Sequence, residues 1–294
     1  MDYILQALKG KNDWWRTFII LFVFIGVFGL SFLTVLLLTP EQINEAIAVT
    51  GIKNIDLAIN LSQFGILLIV LFGLFYFLHQ RSLVTLTTAR STIDFKRIFV
   101  CFFLVIFIQV VSFAISYGYD SSNIEWNFDA SKFTLLVIIC LILLPVQIGF
   151  EEYFFRGYLM QQIGIATKSL WIPLIITSVL FGLLHSANPE VSEIGFKMMV
   201  FYIGTGFFLG IITLLDNGLE LALGFHFANN FIAATLITSD ISALQTDAIF
   251  KYTGTISSEA LFNETVLSMA ITYPLLLIIF GKMYKWNWKS LLKY

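Results

Sequence analysis

Charge is what this chain has least of. Only 12% of its 294 residues are Asp, Glu, Lys or Arg, about half the roughly 25% usual in a soluble globular domain. Hydrophobic residues make up 58%, and the mean hydropathy of +0.87 excludes an ordinary water-facing surface. The net charge of −2 supplies no basic field, so nucleic acid is not an expected partner. Cysteine is also scarce. Cys101 and Cys140 sit in separate apolar runs and read as small core hydrophobes, neither a disulfide nor a metal pair. Histidine occurs three times, as His79, His185 and His226, and the last two fall within apolar segments.

What is present is a series of long apolar runs. A membrane-spanning helix needs about 20 mainly apolar residues. By that criterion the chain contains about eight such runs, near 17–38, 57–78, 98–117, 133–159, 170–187, 197–215, 219–238 and 265–284. The expected fold is therefore all-α, a polytopic transmembrane bundle partnered by the lipid bilayer. Pro145 and the charges at 151–156 make the fourth run the least regular. The first is too long for a signal-peptide core and lacks a small-residue cleavage pattern, so it reads as a retained span. With the amino terminus placed in the cytoplasm, thirteen of the seventeen basic residues fall on the inner side. An even number of spans agrees, putting both termini in the cytoplasm. Neither linker nor internal repeat divides the chain, and residues 1–294 read as one integral membrane domain. Gly204-Thr-Gly206-Phe-Phe-Leu-Gly210 has no strand before it and reads as close helix packing through small residues.

Charges inside a bilayer are costly and mark function by default. Here they cluster. In Glu151-Glu152-Tyr-Phe-Phe-Arg156, Glu152 and Arg156 are four apart and share a helix face. Glu151 is turned about 100° away from Glu152, so the arginine does not obviously neutralise it. A carboxylate in such a place can act as a general base, although an interfacial ion pair at a helix end has the same pattern. Phe181-Gly-Leu-Leu-His185 places a histidine near a helix end, where a packing role is the common alternative. His226-Phe-Ala-Asn229-Asn230 puts two hydrogen-bonding side chains on one stripe, which interhelical bonding alone would also explain. A hairpin bent near Lys168 would set Glu151 and His185 at matching depth, 17 residues either side of the bend.

These motifs, in this order, resemble those of intramembrane peptidases of the CAAX protease and bacteriocin-processing (CPBP, Abi) family, including type II CAAX prenyl endopeptidases. The family is marked by Glu-Glu-x-x-x-Arg, Phe-x-x-x-His and His-x-x-x-Asn or Asp, and every fixed position is matched at Glu151-Glu152-x-x-x-Arg156, Phe181-x-x-x-His185 and His226-x-x-x-Asn230. The resemblance covers about 133–238, the expected catalytic core. It implies a helical bundle with a cavity open to the cytoplasm and a membrane-embedded endopeptidase acting on a membrane-associated or lipidated peptide or protein. Glu151, positioned with His185, would activate a water. His226 and Asn230 would stabilise the oxyanion. Glu152 and Arg156 would organise the site, or Arg156 would bind a substrate carboxylate. Glu151, His185 and His226 could also bind zinc with a water, as the label metalloprotease common in this family implies. A carboxylate-activated water needs no metal, and the chain has no His-Glu-x-x-His helix, which favours the reaction without one. In a bacterium the expected location is the plasma membrane, with the site facing the cytoplasm.

Two other readings compete. A non-catalytic bacteriocin-immunity or scaffold protein of the same fold would use the cavity for binding. A transporter with a proton relay would show inverted repeats and broken helices in matching halves; neither is visible, and all the motifs fall in the second half.

Overall fold

The computed structural model describes residues 2–39, 42, 45–46, 48–240, 242–254 and 257–292. The chain is mostly helical, at 77%. Helix α1 (Asp2–Leu5) and the single turn Gln6–Lys9 meet α2 (Trp14–Leu37) across a bend of 106°. Helix α3 (Lys53–Leu74) continues through a π-helical turn, Phe75–His79. After α4 (Leu83–Thr87) comes α5 (Phe95–Tyr119), whose first turn is capped by Asp94 accepting from the Arg97 amide. Helix α6 (Ala130–Glu152), capped by Asp129, runs through a second π-helical stretch, Tyr153–Leu159, into α7 (Met160–Thr167). Lys168 then adopts the left-handed conformation, with φ of 54°, and turns the chain into α8 (Trp171–Leu184). The expected hairpin is thus formed at the expected residue. The short α9 (Pro189–Ile194) precedes α10 (Met199–Asp216), α11 (Glu220–Thr235) and α12 (Ser258–Met283).

A helix overlies each of the eight apolar runs, but not all are long enough to cross a bilayer alone. Five described helical stretches pass on length and composition: Lys53–His79, Phe95–Tyr119, Ala130–Thr167, Phe196–Asp216 and Ser258–Met283. A sixth is added if the bent pair at the amino end counts as one span. Helix α8 has 14 residues, about 21 Å at 1.5 Å per residue, against a hydrocarbon core about 30 Å thick. Helix α11 has 16 residues and carries Glu220, His226, Asn229 and Asn230. These two short helices, with α6 and α10, surround the motif residues.

A small three-stranded sheet departs from the purely helical expectation. β1 (Ile124–Trp126) pairs antiparallel with β3 (Phe250–Tyr252), Glu125 opposite Lys251, and β2 (Ile237–Thr238) pairs parallel with β3. Strands of two or three residues are too short to show the alternation by which a strand is read.

Packing follows the small residues and the charges. Helices α8 and α10 approach closely at Gly206, where an added Cβ would stand 2.8 Å from the Ser178 carbonyl oxygen and 2.9 Å from its Cα. Because that obstacle is backbone, Gly206→Ala is expected to force the pair apart and cost about 1–3 kcal/mol, read as a lowered melting temperature of the purified protein. The Gly204–Gly210 run therefore serves close helix packing, as its small residues implied. At the opposite end of α10, Arg90 bridges Asp216 (2.8 Å) and Glu220 (3.1 Å), while Arg97 and the Trp286 indole also donate to Asp216. This network pins the α10–α11 turn and so fixes where His226 stands. Cys101 and Cys140 are buried and unpaired.

Candidate active site

The π-helical stretch begins one residue after Glu152, and π-turns inside α-helices recur at functional sites. Both acids are buried, Glu152 fully and Glu151 to 6% exposure. The fully buried Arg156 donates from Nη1 to Glu152 Oε1 at 2.8 Å, the pairing that the four-residue spacing predicts. Its Nη2 donates to the Gly206 carbonyl at 3.2 Å, and its Cζ lies 4.2 Å from the centre of the Phe181 ring.

His226 approaches from α11. Its Nδ1 lies 2.8 Å from Glu152 Oε1, and since an ionised carboxylate only accepts, Nδ1 carries the proton and donates. Its Nε2 faces Glu151 Oε2 at 3.6 Å, beyond hydrogen-bonding reach. Glu151 Oε2 has no hydrogen-bond partner. The two acids therefore differ in the way their spacing implied: Glu152 is held through Oε1 by Arg156 and His226, although its Oε2 is unpartnered like that of Glu151, whereas Arg156 does not reach Glu151. One turn back along α6 and one turn on along α11, Asn230 Nδ2 lies 3.5 Å from Gln147 Oε1. The contacts 151 to 226 and 147 to 230 make α6 and α11 antiparallel at the site.

His185 stands at the end of α8. Its Nδ1 lies 2.8 Å from the Phe181 carbonyl oxygen, so Nδ1 donates and Nε2 of the neutral ring keeps its lone pair. One neighbour is the Phe181 ring, with centroids 4.7 Å apart; the other is Tyr202, stacked at 4.6 Å and 21°. The Phe181 ring also lies 5.8 Å from that of His226. Phe181 thus brings both histidines and Arg156 together, while the direct neighbour of Glu151 is His226 rather than His185.

Spacing missed several residues. Gln147 is one turn before Glu151 on the same face, a signal that could have found it. Tyr202 carries no comparable signal. Its hydroxyl accepts from Asn188 Nδ2 (2.9 Å) and donates to Glu190 Oε2 (3.4 Å), whose other oxygen accepts the Ala243 amide at 2.8 Å. Burial pushes the Glu190 carboxyl above its usual range. These contacts join the loop after His185 to the segment after β2.

Among the described residues, no group of three or more His, Cys, Asp or Glu side chains is disposed to hold a metal ion. Glu151, His185 and His226 therefore do not stand as a zinc-ligand set in this conformation. Two open cavities, of about 420 and 510 Å³, lie elsewhere and include none of the motif residues.

A family model for type II CAAX prenyl endopeptidase Rce1-like proteins matches residues 131–232, which contain all three motifs. The chain is also 31% identical over 255 residues to the uncharacterized protein YyaK of Bacillus subtilis (strain 168), covering 81% of this chain and 83% of that one. The chain belongs to the Rce1-like CAAX protease family. This is a protease family, and with several spanning helices this Rce1-like chain is an integral membrane protein. No solved structure matches it.

Proposed function

We propose that this chain is an intramembrane endopeptidase that hydrolyses a peptide bond in a membrane-associated or lipidated peptide, with Glu151 as general base. The observation that carries the reading is the contrast between adjacent acids: Glu152 Oε1 accepts from both Arg156 and His226, leaving only its Oε2 without a partner, while the unpartnered Glu151 Oε2 faces His226 Nε2 at 3.6 Å. A base must be free to take a proton and held where the reacting atoms meet.

In this mechanism Glu151 takes a proton from a water as the water oxygen bonds to the scissile carbonyl carbon. His185 Nε2, with its lone pair free, accepts the second water hydrogen and orients the attack. The carbonyl becomes an oxyanion that accepts from His226 Nε2–H and Asn230 Nδ2–H, donors set in a site shielded from bulk water. The C–N bond then breaks, and the proton on Glu151 passes to the leaving amine nitrogen. Glu152 keeps His226 in the required orientation through Nδ1. Arg156 is wholly buried and committed to Glu152 and Gly206, which supports an organising role over capture of a substrate carboxylate. Loop charge supports cytoplasmic termini and a site entered from the cytoplasm, and the Bacillus relative supports a bacterial plasma membrane.

Stacking of Tyr202 on His185 yields a further expectation. Tyr202→Phe keeps the ring and should retain most activity. Tyr202→Leu removes the stacking surface and should slow cleavage about 10- to 100-fold by letting His185 turn, measured as the initial rate in purified protein. Activity should persist after chelation; stoichiometric zinc in active protein, lost together with activity on chelation, would contradict the mechanism. The reading as a whole is tested by comparing membrane peptide profiles of cells carrying wild-type protein or Glu151→Gln. Peptides that accumulate uncut only with the variant support it, and identical profiles would refute it.

A further inference from the structure

Arg81 lies in the turn after the π-helical end of α3 and is 3% exposed. Every group it meets is neutral. Nε donates to Thr85 Oγ1 (3.2 Å), Nη2 donates to the Thr85 carbonyl (3.3 Å) and to Gln161 Oε1 (2.8 Å), and the Phe75 ring centre lies 5.0 Å from Cζ. Nη1 has no partner. Among the described residues no carboxylate pairs with Arg81; the ionisable groups near it are the phenols of Tyr3 and Tyr158 and the imidazole of His79. Burial lowers its pKa to about 10, which leaves it charged at neutral pH. Arg156, the other fully sequestered arginine described above, has Glu152. A buried cation without an anion is costly, and the protein itself supplies no anion here.

A cavity of about 510 Å³ opens at this turn, lined by Tyr76, Phe77, Gln80, Arg81 and Ser82. Its two ends differ in chemistry. Tyr76 and Phe77, 63% and 73% exposed, continue the outer face of the α3 span, where acyl chains run. Gln80, Arg81 and Ser82 form the polar end. The segment wrapping this turn adds positive charge. The Lys11 amide donates to the His79 carbonyl (2.9 Å), and Arg16 donates to the Leu78 carbonyl. The nearby acid, Asp13, is taken by Arg16 at 2.7 Å.

We propose that this cavity binds an anionic phospholipid, its phosphate near the Arg81 end and an acyl chain along Tyr76 and Phe77. The phosphate supplies the missing counter-charge, and the aromatic pair selects a lipid over a free ion. The cavity lining includes none of the motif residues, and the proposal does not depend on their chemistry.

The test is lipid retention by the full-length purified protein, read by native mass spectrometry after exchange into mixed phosphatidylglycerol and phosphatidylcholine. Wild type should retain phosphatidylglycerol several-fold over phosphatidylcholine. Arg81→Gln should abolish that preference and Arg81→Lys should keep part of it. Tyr76→Ala combined with Phe77→Ala changes only exposed side chains and should lower phosphatidylglycerol retention without unfolding the protein. If Arg81→Gln does not fold, the double variant decides. Equal retention of the two lipids by wild type would overturn the proposal. So would unchanged retention in the double variant, or stabilisation by inorganic phosphate as large as that by phosphatidylglycerol.

Discussion

Glu151→Gln is expected to slow peptide hydrolysis by about 10²- to 10⁴-fold, the usual range for losing a positioned general base, while the protein melts near the wild-type temperature. Glutamine matches glutamate in shape but cannot accept a proton at neutral pH. The structural loss should be small because Glu151 Oε2 has no hydrogen bond to lose and its contact with His226 is 3.6 Å. Cleavage rate and thermal melting measured on the same preparations separate the two effects. A folded Glu151→Gln protein cleaving at the wild-type rate would remove Glu151 from the mechanism.

The second large effect is on stability, and it belongs to the adjacent acid. Arg156→Leu should cost about 3–5 kcal/mol, because removing one member of a buried ion pair leaves the other charge uncompensated. Glu152 is wholly buried, and after loss of Arg156 only His226 would remain to hold it. Changing both partners, Arg156→Leu with Glu152→Gln, should recover part of that loss, since no unpaired charge then remains. Melting of the two single variants and the double variant in one detergent gives the coupling directly. A wild-type melting temperature in Arg156→Leu would show that the pair is not desolvated. Neighbouring residues 151 and 152 are thus expected to fail differently, one in rate and the other chiefly in stability.

Local spacing made much of this legible in advance. The helix periodicity carried the Glu152–Arg156 pairing, the exclusion of Glu151 from it, and the shared stripe of His226 and Asn230. Apolar run length located a helix in all eight places, and the reversal near Lys168 followed from the gap between the fourth and fifth runs. Contacts across long sequence separations were not legible. Nothing near residue 226 announces that His226 will donate to Glu152, 74 positions earlier, rather than stand beside an unpaired acid. Tyr202 looked like any apolar-helix aromatic, because its role depends on the loop that folds back over His185. The number of complete spans was also hidden, since hydropathy does not report that α8 stops after 14 residues. The strands were hidden for a similar reason: two or three residues leave no pattern, and the β1–β3 pairing joins segments more than a hundred residues apart.

Glu151-activated water, acting from an unpartnered carboxylate inside the bundle, is the central claim. Membranes containing the purified wild-type protein or Glu151→Gln can be incubated with a cleaved membrane peptide in water enriched in oxygen-18, and the products weighed. The mechanism predicts one oxygen-18 atom in the new carboxyl terminus made by wild type, and no such product from the folded variant. Labelled product formed equally well by Glu151→Gln would contradict it.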